Sequence, residues 1–552
     1  MTRYSKLPLV AAALLTSAGL VAAVRAGAQA PLDHHQPSSA SSDQKTPFTS
    51  ELDGYVQELL DEWKVAGLAI GIVDSKESYT KAYGYSQLPS VPATTDTLWY
   101  VGSTTKAQVA ATLAQLIDNQ THAALSQGWQ TPISSIIRDD FVVGNEWATA
   151  HLTLEDAVSH RTGVAGHIDA YPNTLNGTLA TSQDITRLLR HLPLSYEPRT
   201  KWDYNNFMYT MLSHALETLT GEPLRQTLKR VLWEPLGMTS TFLNLKDVNQ
   251  SKHKIARGYF WNREQHEFGE YPLWDAPGVS GAGTELSTVK DYTKWLACLI
   301  HETAPLSRGA HGEIRKPRMI VPPESYPPQG FDMSLYGLAW FRTTIHGHVV
   351  YQHTGSTESH GANVVWLPEL NYGLVIFVNQ PNEIRHVIAR RLIEDRIGTP
   401  EADRFDVSRY WKEMLAAADK AVDNAIDALF PERPTPALPS THPHSDLVGE
   451  YHHPGYGTLR LRLETDPNNA SKEILVADRE NLAFPTQWRF EHVSGDYWVV
   501  WRYSYVDTAR PNAAYAARID TAVSGAVDSI SLQLPEAVAG KGPLEIVFAR
   551  HD

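Results

Sequence analysis

The periodicity of the chain changes once, and that change limits the architecture more than any single motif does. From Leu52 to about residue 430, apolar positions recur at helical spacing and alternate with short apolar runs. Leu52 to Trp63 reads as a helix, and Leu68 to Val73 with Tyr79 to Tyr85 as the two strands of a hairpin. Further strands are predicted at Val349 to Gln352, Asn363 to Leu367 and Leu374 to Val378, and a long helical stretch at Arg404 to Phe430. Pro431 to Ser445 holds five prolines and no apolar periodicity, so it reads as a linker. Beyond it, Leu459, Leu461 and Leu463 alternate with Arg and Glu, as a half-buried strand requires. Tyr497 to Val506, Tyr515 to Ile519, Ser529 to Leu534 and Leu544 to Phe548 continue that pattern. Two grammars in one polypeptide predict two folding units. The first, residues 47–400, is α/β (α+β), an antiparallel sheet with a helical region. A helix and linker follow at 401–445, then a small antiparallel β-barrel at 446–552.

Composition narrows the function. The 552 residues are 42% hydrophobic and 20% charged, which is globular rather than disordered or fibrous. The net charge is −14, whereas holding a phosphate backbone needs clustered positive charge, so no nucleic-acid partner is expected. Cys298 is the only cysteine, which excludes an intrachain disulfide and CxxC-type zinc sites. It falls on the apolar side of a predicted helix and reads as core. The 23 histidines form no HExxH motif and no cluster with ligand spacing, so neither a metal nor a cofactor is expected.

The N-terminus reads as an export signal. Arg3 and Lys6 precede an apolar run from Leu9 to Val24, and Ala26, Gly27 and Ala28 offer small residues for cleavage. Residues 1–28 are therefore the expected signal peptide and 29–46 a flexible leader. The mature protein is expected outside the cell, with no membrane association. Four sequons, at Asn119, Asn176, Asn249 and Asn469, suit that route.

Three short elements carry chemistry. Ser103-Thr104-Thr105-Lys106 places a hydroxyl and an amine at i and i+3 of a helix, where they share a face. An adjacent amine can take the hydroxyl proton and make serine a nucleophile. The same spacing recurs at Ser42, Ser78, Ser251 and Ser287, so context must choose. Ser42 lies in the leader, Ser78 on a predicted strand, Ser251 in a polar loop, and Ser287 reads as an N-cap. Ser103 follows Gly102 and opens a helix with Val109, Leu113, Leu116 and Ile117 on one face. Taken alone it also suits an N-cap. The second element, Tyr204-Asn205-Asn206, precedes an amphipathic helix that stops at Gly221. The third, His353-Thr354-Gly355, stands at the end of a predicted strand, where Gly lets a substrate approach the strand edge.

In this order the three elements resemble those of the serine β-lactamase and penicillin-binding-protein superfamily, in particular its class C-like branch with D-aminopeptidase and esterase relatives. Val65 to Val73 is similar to the family's first core strand. Leu154-Glu155-Asp156-Ala157-Val158-Ser159-His160-Arg161-Thr162-Gly163 is similar to its "LLSHTSG" segment, and Trp233 to Met238 to its "EPLGM" segment. The C-terminal unit resembles a lipocalin-like domain appended to some relatives. The resemblance implies a β-lactamase/transpeptidase-like fold and a serine hydrolase of the acyl-enzyme type. Ser103 would be the nucleophile, and Lys106 with Tyr204 the base pair. Asn206 would orient Lys106 and a substrate amide, and the backbone N–H groups of Ser103 and Ser356 would form the oxyanion hole. His353 stands where β-lactamases carry Lys, which turns the expectation from a dedicated β-lactamase toward an ester or amide hydrolase, with peptide or D-amino-acid-type substrates. Were His353 charged, it would grip an acidic substrate. The expected partner is a small-molecule or peptide acyl substrate. Acyl transfer to another nucleophile, as in a peptide cyclase, and a silent binding protein of the same fold are the competing readings. Oligomeric state has no code in the sequence.

Overall fold

The computed structural model describes residues 46–322, 332–466, 469–538 and 542–551. The predicted signal peptide and leader up to residue 45 lie outside the described residues. Nine strands form one antiparallel sheet. Across it run Met319–Ile320, Leu335–Tyr336, Phe341–Ile345, His348–Ser356, Gly361–Leu367, Tyr372–Val378, Gly67–Asp74, Glu77–Gln87 and Val91–Pro92. The predicted hairpin is there, with Ile70 opposite Lys81. The first strand closes against a late one, Ile70 opposite Ile376, so the chain's two ends of this unit meet in the middle of the sheet.

Strand alternation explains the layers. Leu68, Ile70 and Ile72 face one side, with Leu374 and Ile376, and bury Val56, Leu60, Ile388 and Leu392 from helices Ser50–Trp63 and Ile384–Ile397. Ala69, Val73, Val375 and Phe377 face the other side and pack on Tyr292, Trp295 and Leu296 of helix Val289–His301. That helix seats closely because Gly71 and Gly373 are bare. A Cβ on Gly71 would stand 2.7 Å from Thr293, and one on Gly373 would stand 2.9 Å from Leu296. Each large side chain buried this way contributes about 1.5–3 kcal/mol. Thr288, rather than the expected Ser287, caps this helix, its hydroxyl accepting from the Asp291 N–H. Ser287 sits in a two-residue strand opposite Trp99, with its hydroxyl on Thr241. Cys298 is buried, as its helical position implied.

The predicted helix at 404–430 is two helices, Val407–Asp423 and Ala425–Leu429. Eight strands from Gly449–His453 to Gly542–Arg550 then close into an antiparallel barrel. Closure removes the exposed edges that short strands would leave. Trp498 and Val500 of the Trp-rich strand point into the barrel core with Trp488 and Phe548. The buried apolar cluster runs without a break from the helices of the first unit into the barrel. Among the described residues, no helix is long and apolar enough to cross a membrane.

Candidate active site

Two glycines bring the first and third elements together. Gly102 has φ +54°, a left-handed conformation that puts a sharp turn before Ser103. A Cβ there would lie 2.6 Å from the Ser356 nitrogen. On the facing strand, a Cβ on Gly355 would stand 1.9 Å from the Val101 carbonyl and 3.1 Å from the Ser103 nitrogen. Gly355 therefore serves the approach of the Gly102–Ser103 turn; the sequence had suggested the approach of a substrate. The strand is also longer than predicted. It runs to Ser356, while its neighbour's pairing ends at Phe341 opposite Gln352. Among the described residues, the edge from His353 to Ser356 is thus free of a paired strand on that side, and the Gly102–Ser103 turn packs closely against Gly355 and Ser356.

Ser103 opens with a short turn, Gly102–Thr104, before helix Thr105–Asp118. The Lys106 Nζ lies 2.9 Å from Ser103 Oγ and donates to the Ala282 carbonyl at 2.6 Å. Lys106 is fully buried with no carboxylate among its described partners, so burial pushes its amine well below the ordinary lysine value. An uncharged amine has a lone pair, and the Ser103 hydroxyl can donate to it. The Tyr204 side chain is hydrogen-bonded to Ser103, and burial raises its phenol well above the usual tyrosine value. The Lys106 ammonium position stands 4.9 Å from the Tyr204 ring centroid. All three catalytic candidates are therefore in contact.

Two expectations need correction. Asn206 begins helix Asn206–Thr220, but no described hydrogen bond joins it to Lys106; the Ala282 carbonyl fills that position. A run of small residues, Ser280 to Gly283, permits this. A Cβ on Gly283 would already lie 3.2 Å from the Gly102 carbonyl carbon. His353 is not a cation either. Its ring is 2% exposed, and burial, then the nearby Lys106, push its pKa down to about 3. Nδ1 donates to the Thr354 carbonyl at 2.6 Å, and Nε2 accepts from the Tyr336 hydroxyl at 3.1 Å. A neutral ring so satisfied cannot grip a carboxylate by charge. Thr354 alternates with His353 and Gly355 along the strand, and the Ser356 hydroxyl accepts from Arg385 on the far side of the sheet at 3.2 Å.

The match to known proteins follows this geometry. A profile of the Beta-lactamase family matches residues 52–396. The chain belongs to the beta-lactamase family. An unguisins hydrolase from Aspergillus campestris is 34% identical over 467 residues, covering 84% of this chain and 86% of its own. Another from Aspergillus violaceofuscus is 35% identical over 483 residues, covering 83% and 84%. The fold recurs in an octameric penicillin-binding protein homologue from Pyrococcus abyssi (TM-score 0.58, 17% identity, 90% of this chain and 99% of that one). It recurs also in a D-amino acid amidase from Ochrobactrum anthropi (TM-score 0.53, 21% identity, 63% and 99%). This beta-lactamase-family chain is accordingly a serine hydrolase.

Sequence reasoning missed several residues around Ser103. Glu285 is buried against helix Thr105–Asp118, accepts from Gln108 at 2.8 Å, and is raised by burial to about 8. Trp233 in turn donates to Gln108. Asn205, not Asn206, is the anchored asparagine. It caps its helix and donates to the Val164 and Ala165 carbonyls at 2.9 and 2.5 Å. Its position before an amphipathic helix was the readable signal. Among the described residues, no group of three or more His, Cys, Asp or Glu is arranged to hold a metal ion.

Proposed function

We propose that this enzyme hydrolyses an amide bond in a peptide-like substrate, through an acyl group carried on Ser103. The observation that carries the reading is the 2.9 Å contact between Ser103 Oγ and an amine that burial pushes well below the ordinary lysine value. The Ser103 proton passes to Lys106 as Oγ attacks the carbonyl carbon. The oxyanion forms between the Ser103 and Ser356 N–H groups. Tyr204, which keeps its proton, hands it to the departing amine and is reprotonated from Lys106. Water then enters by the same relay and releases the acid. Lys106 thus acts as the base and Tyr204 as the acid of one proton relay. The amide preference draws on the relatives, two named as hydrolases of unguisins and one as a D-amino acid amidase.

Export belongs to the same proposal. All four sequon asparagines, Asn119, Asn176, Asn249 and Asn469, are exposed, as attachment of glycans requires. Loss of the first residues from the secreted protein, read by N-terminal sequencing, tests this.

The catalytic reading is tested with a fluorophosphonate label and a panel of unguisins, D- and L-amino-acid anilides, p-nitrophenyl esters and nitrocefin. Each is run on wild type and on Ser103→Ala. Labelling and amide turnover that vanish together in Ser103→Ala are expected. Turnover that survives the substitution overturns the reading, and acyl transfer to added amines in preference to water replaces hydrolysis by transfer.

A further inference from the structure

The Leu154-to-Gly163 segment has no part in the mechanism above, yet one of its residues touches the machinery from three directions. His160 is fully buried and follows helix Leu154–Val158. Its backbone adopts φ +57°, a left-handed conformation that a non-glycine residue holds only when its surroundings enforce it. They do so through a buried carboxylate. Asp156 receives Arg161 at 2.7 Å and Arg199 at 2.8 Å, which fixes the chain on both sides of the turn. Gly163 completes the bend, its carbonyl accepting from the Ser195 N–H.

In that conformation His160 grips the backbone on either side of Tyr204. Its carbonyl accepts from the Asp203 N–H at 2.9 Å, and its Nδ1 accepts from the Asn205 N–H at 3.1 Å. The imidazole then lies against the phenol, with ring centroids 4.4 Å apart and planes inclined by 44°. Tyr336, Tyr209 and Trp202 close the cage at 5.1, 5.4 and 6.1 Å. Because Nδ1 accepts, the proton of the neutral ring sits on Nε2, and that N–H has no hydrogen-bond partner among the described residues. Burying an unpaired donor costs about 1–3 kcal/mol, so packing alone would favour a phenylalanine here. The residue is instead one that can accept at Nδ1 and remain uncharged; burial, then Lys106, then His353 push its pKa well down.

We propose that His160 is the positioning residue for Tyr204. It holds the 203–205 backbone by two hydrogen bonds and the phenol ring by its face, and so fixes the tyrosine oxygen against Ser103. This rests on the catalytic reading above, in which Tyr204 moves the proton. It assigns a task to the Leu154-to-Gly163 turn that neither the S-x-x-K element nor the Tyr204 element explains.

Three variants separate the position of the acceptor from bulk. His160→Asn places Oδ1 where Nδ1 stands and keeps the bond to Asn205. His160→Gln moves the acceptor one atom outward, to the Nε2 position, and His160→Phe removes it. The readout is the rate at which a fluorophosphonate and an amide substrate acylate Ser103, per folded molecule, with kcat, KM, melting temperature and the pH profile of acylation. His160→Phe and His160→Gln are expected to lose about 10²-fold in acylation rate and kcat with little change in KM, the usual consequence of misplacing a reacting group. Their acylation profile shifts along the pH axis, because the Tyr204–Lys106 pair is no longer held together. His160→Asn is expected to recover most of the loss. Equal rates in all three variants overturn the proposal, as does a fall in melting temperature with a wild-type acylation rate and profile. If His160→Phe does not fold, the His160→Gln and His160→Asn pair decides alone. Wild type that labels elsewhere than Ser103 defeats the catalytic reading instead, a result distinguishable from both.

Discussion

Two clusters of buried ionisable groups in this molecule are handled in opposite ways. Around Ser103, the side chains of Lys106, His160 and His353 are buried with no carboxylate among their described partners, and burial moves all three toward their uncharged forms. At the joint between the sheet-and-helix unit and the barrel, Asp169 is 2% exposed and fully engaged. It accepts from Arg502 at 2.9 Å and from the Tyr515 hydroxyl at 2.8 Å. Burial alone would lower Arg502, but Asp169 outweighs it and the guanidinium's pKa is raised. Removal from water without a counter-charge makes a base, whereas removal from water with one makes a joint. Around the pair, His167 meets the Tyr456 hydroxyl at 2.7 Å, and Trp274 donates to the Ala483 carbonyl at 2.7 Å. The same segment reaches back to the site through Val164 and Ala165, the carbonyls held by Asn205.

The largest effect should come from Lys106→Met. Loss of the proposed base lowers kcat/KM for an amide by about 10⁴-fold, the upper range for general-base catalysis. The same change should raise the melting temperature, by about 2 °C or more at neutral pH. The sign follows from linkage. The folded chain holds this amine's pKa below its unfolded value, so the wild type gains stability as pH rises from the folded pKa to the ordinary lysine value of about 10.4. The variant's advantage should therefore shrink toward that pH. Calorimetry across the range checks it, and a variant less stable than wild type at every pH would contradict the uncharged amine.

Asp169→Leu attacks the other cluster. It leaves Arg502 buried without its counter-charge and should cost about 3–5 kcal/mol in urea unfolding. Adding Arg502→Met should recover most of that loss. If the double variant is no better than the single one, the pair is not what makes Asp169 matter.

Gly355→Ala tests the contact that joins the first and third elements. Its Cβ would collide with the Val101 carbonyl, so about 1–3 kcal/mol of stability should be lost. The proposed oxyanion donors, the Ser103 and Ser356 N–H groups, would separate with it, and kcat should fall by about 10²-fold. A normal rate would mean the two N–H groups do not work as a pair.

The smallest effect is an expected constancy. With His353 neutral and bonded at both nitrogens, KM for an acidic substrate should stay flat between about pH 5.5 and 8.5. A KM that rises with pH would restore the charged histidine.

Much of this was legible in one dimension. The first hairpin, the helix that stops at Gly221, the late strands and the change of grammar at the proline-rich linker all follow from local periodicity and turn residues. The S-x-x-K spacing picked out Ser103 because only there did a glycine turn and an amphipathic helix coincide. What failed did so for physical reasons. The N-cap slipped from Ser287 to Thr288 because Trp99, distant in sequence, paired with Ser287 as a strand. Asn206 was chosen over Asn205 by pattern, but the cap geometry gave Asn205 the buried carbonyls. His353 looked chargeable because a sequence shows a side chain's ordinary pKa and not its burial.

The amino-acid order thus determined which groups were present, their spacing on a helix face and the two-unit plan, since these depend on near neighbours along the chain. Only the tertiary structure decided that burial lowers the Lys106 amine, that Ala282 holds it, that Gly355 seats a turn, and that His160 packs on Tyr204. Each of those depends on desolvation and on contacts between residues far apart in sequence, and such effects exist only once the chain is packed.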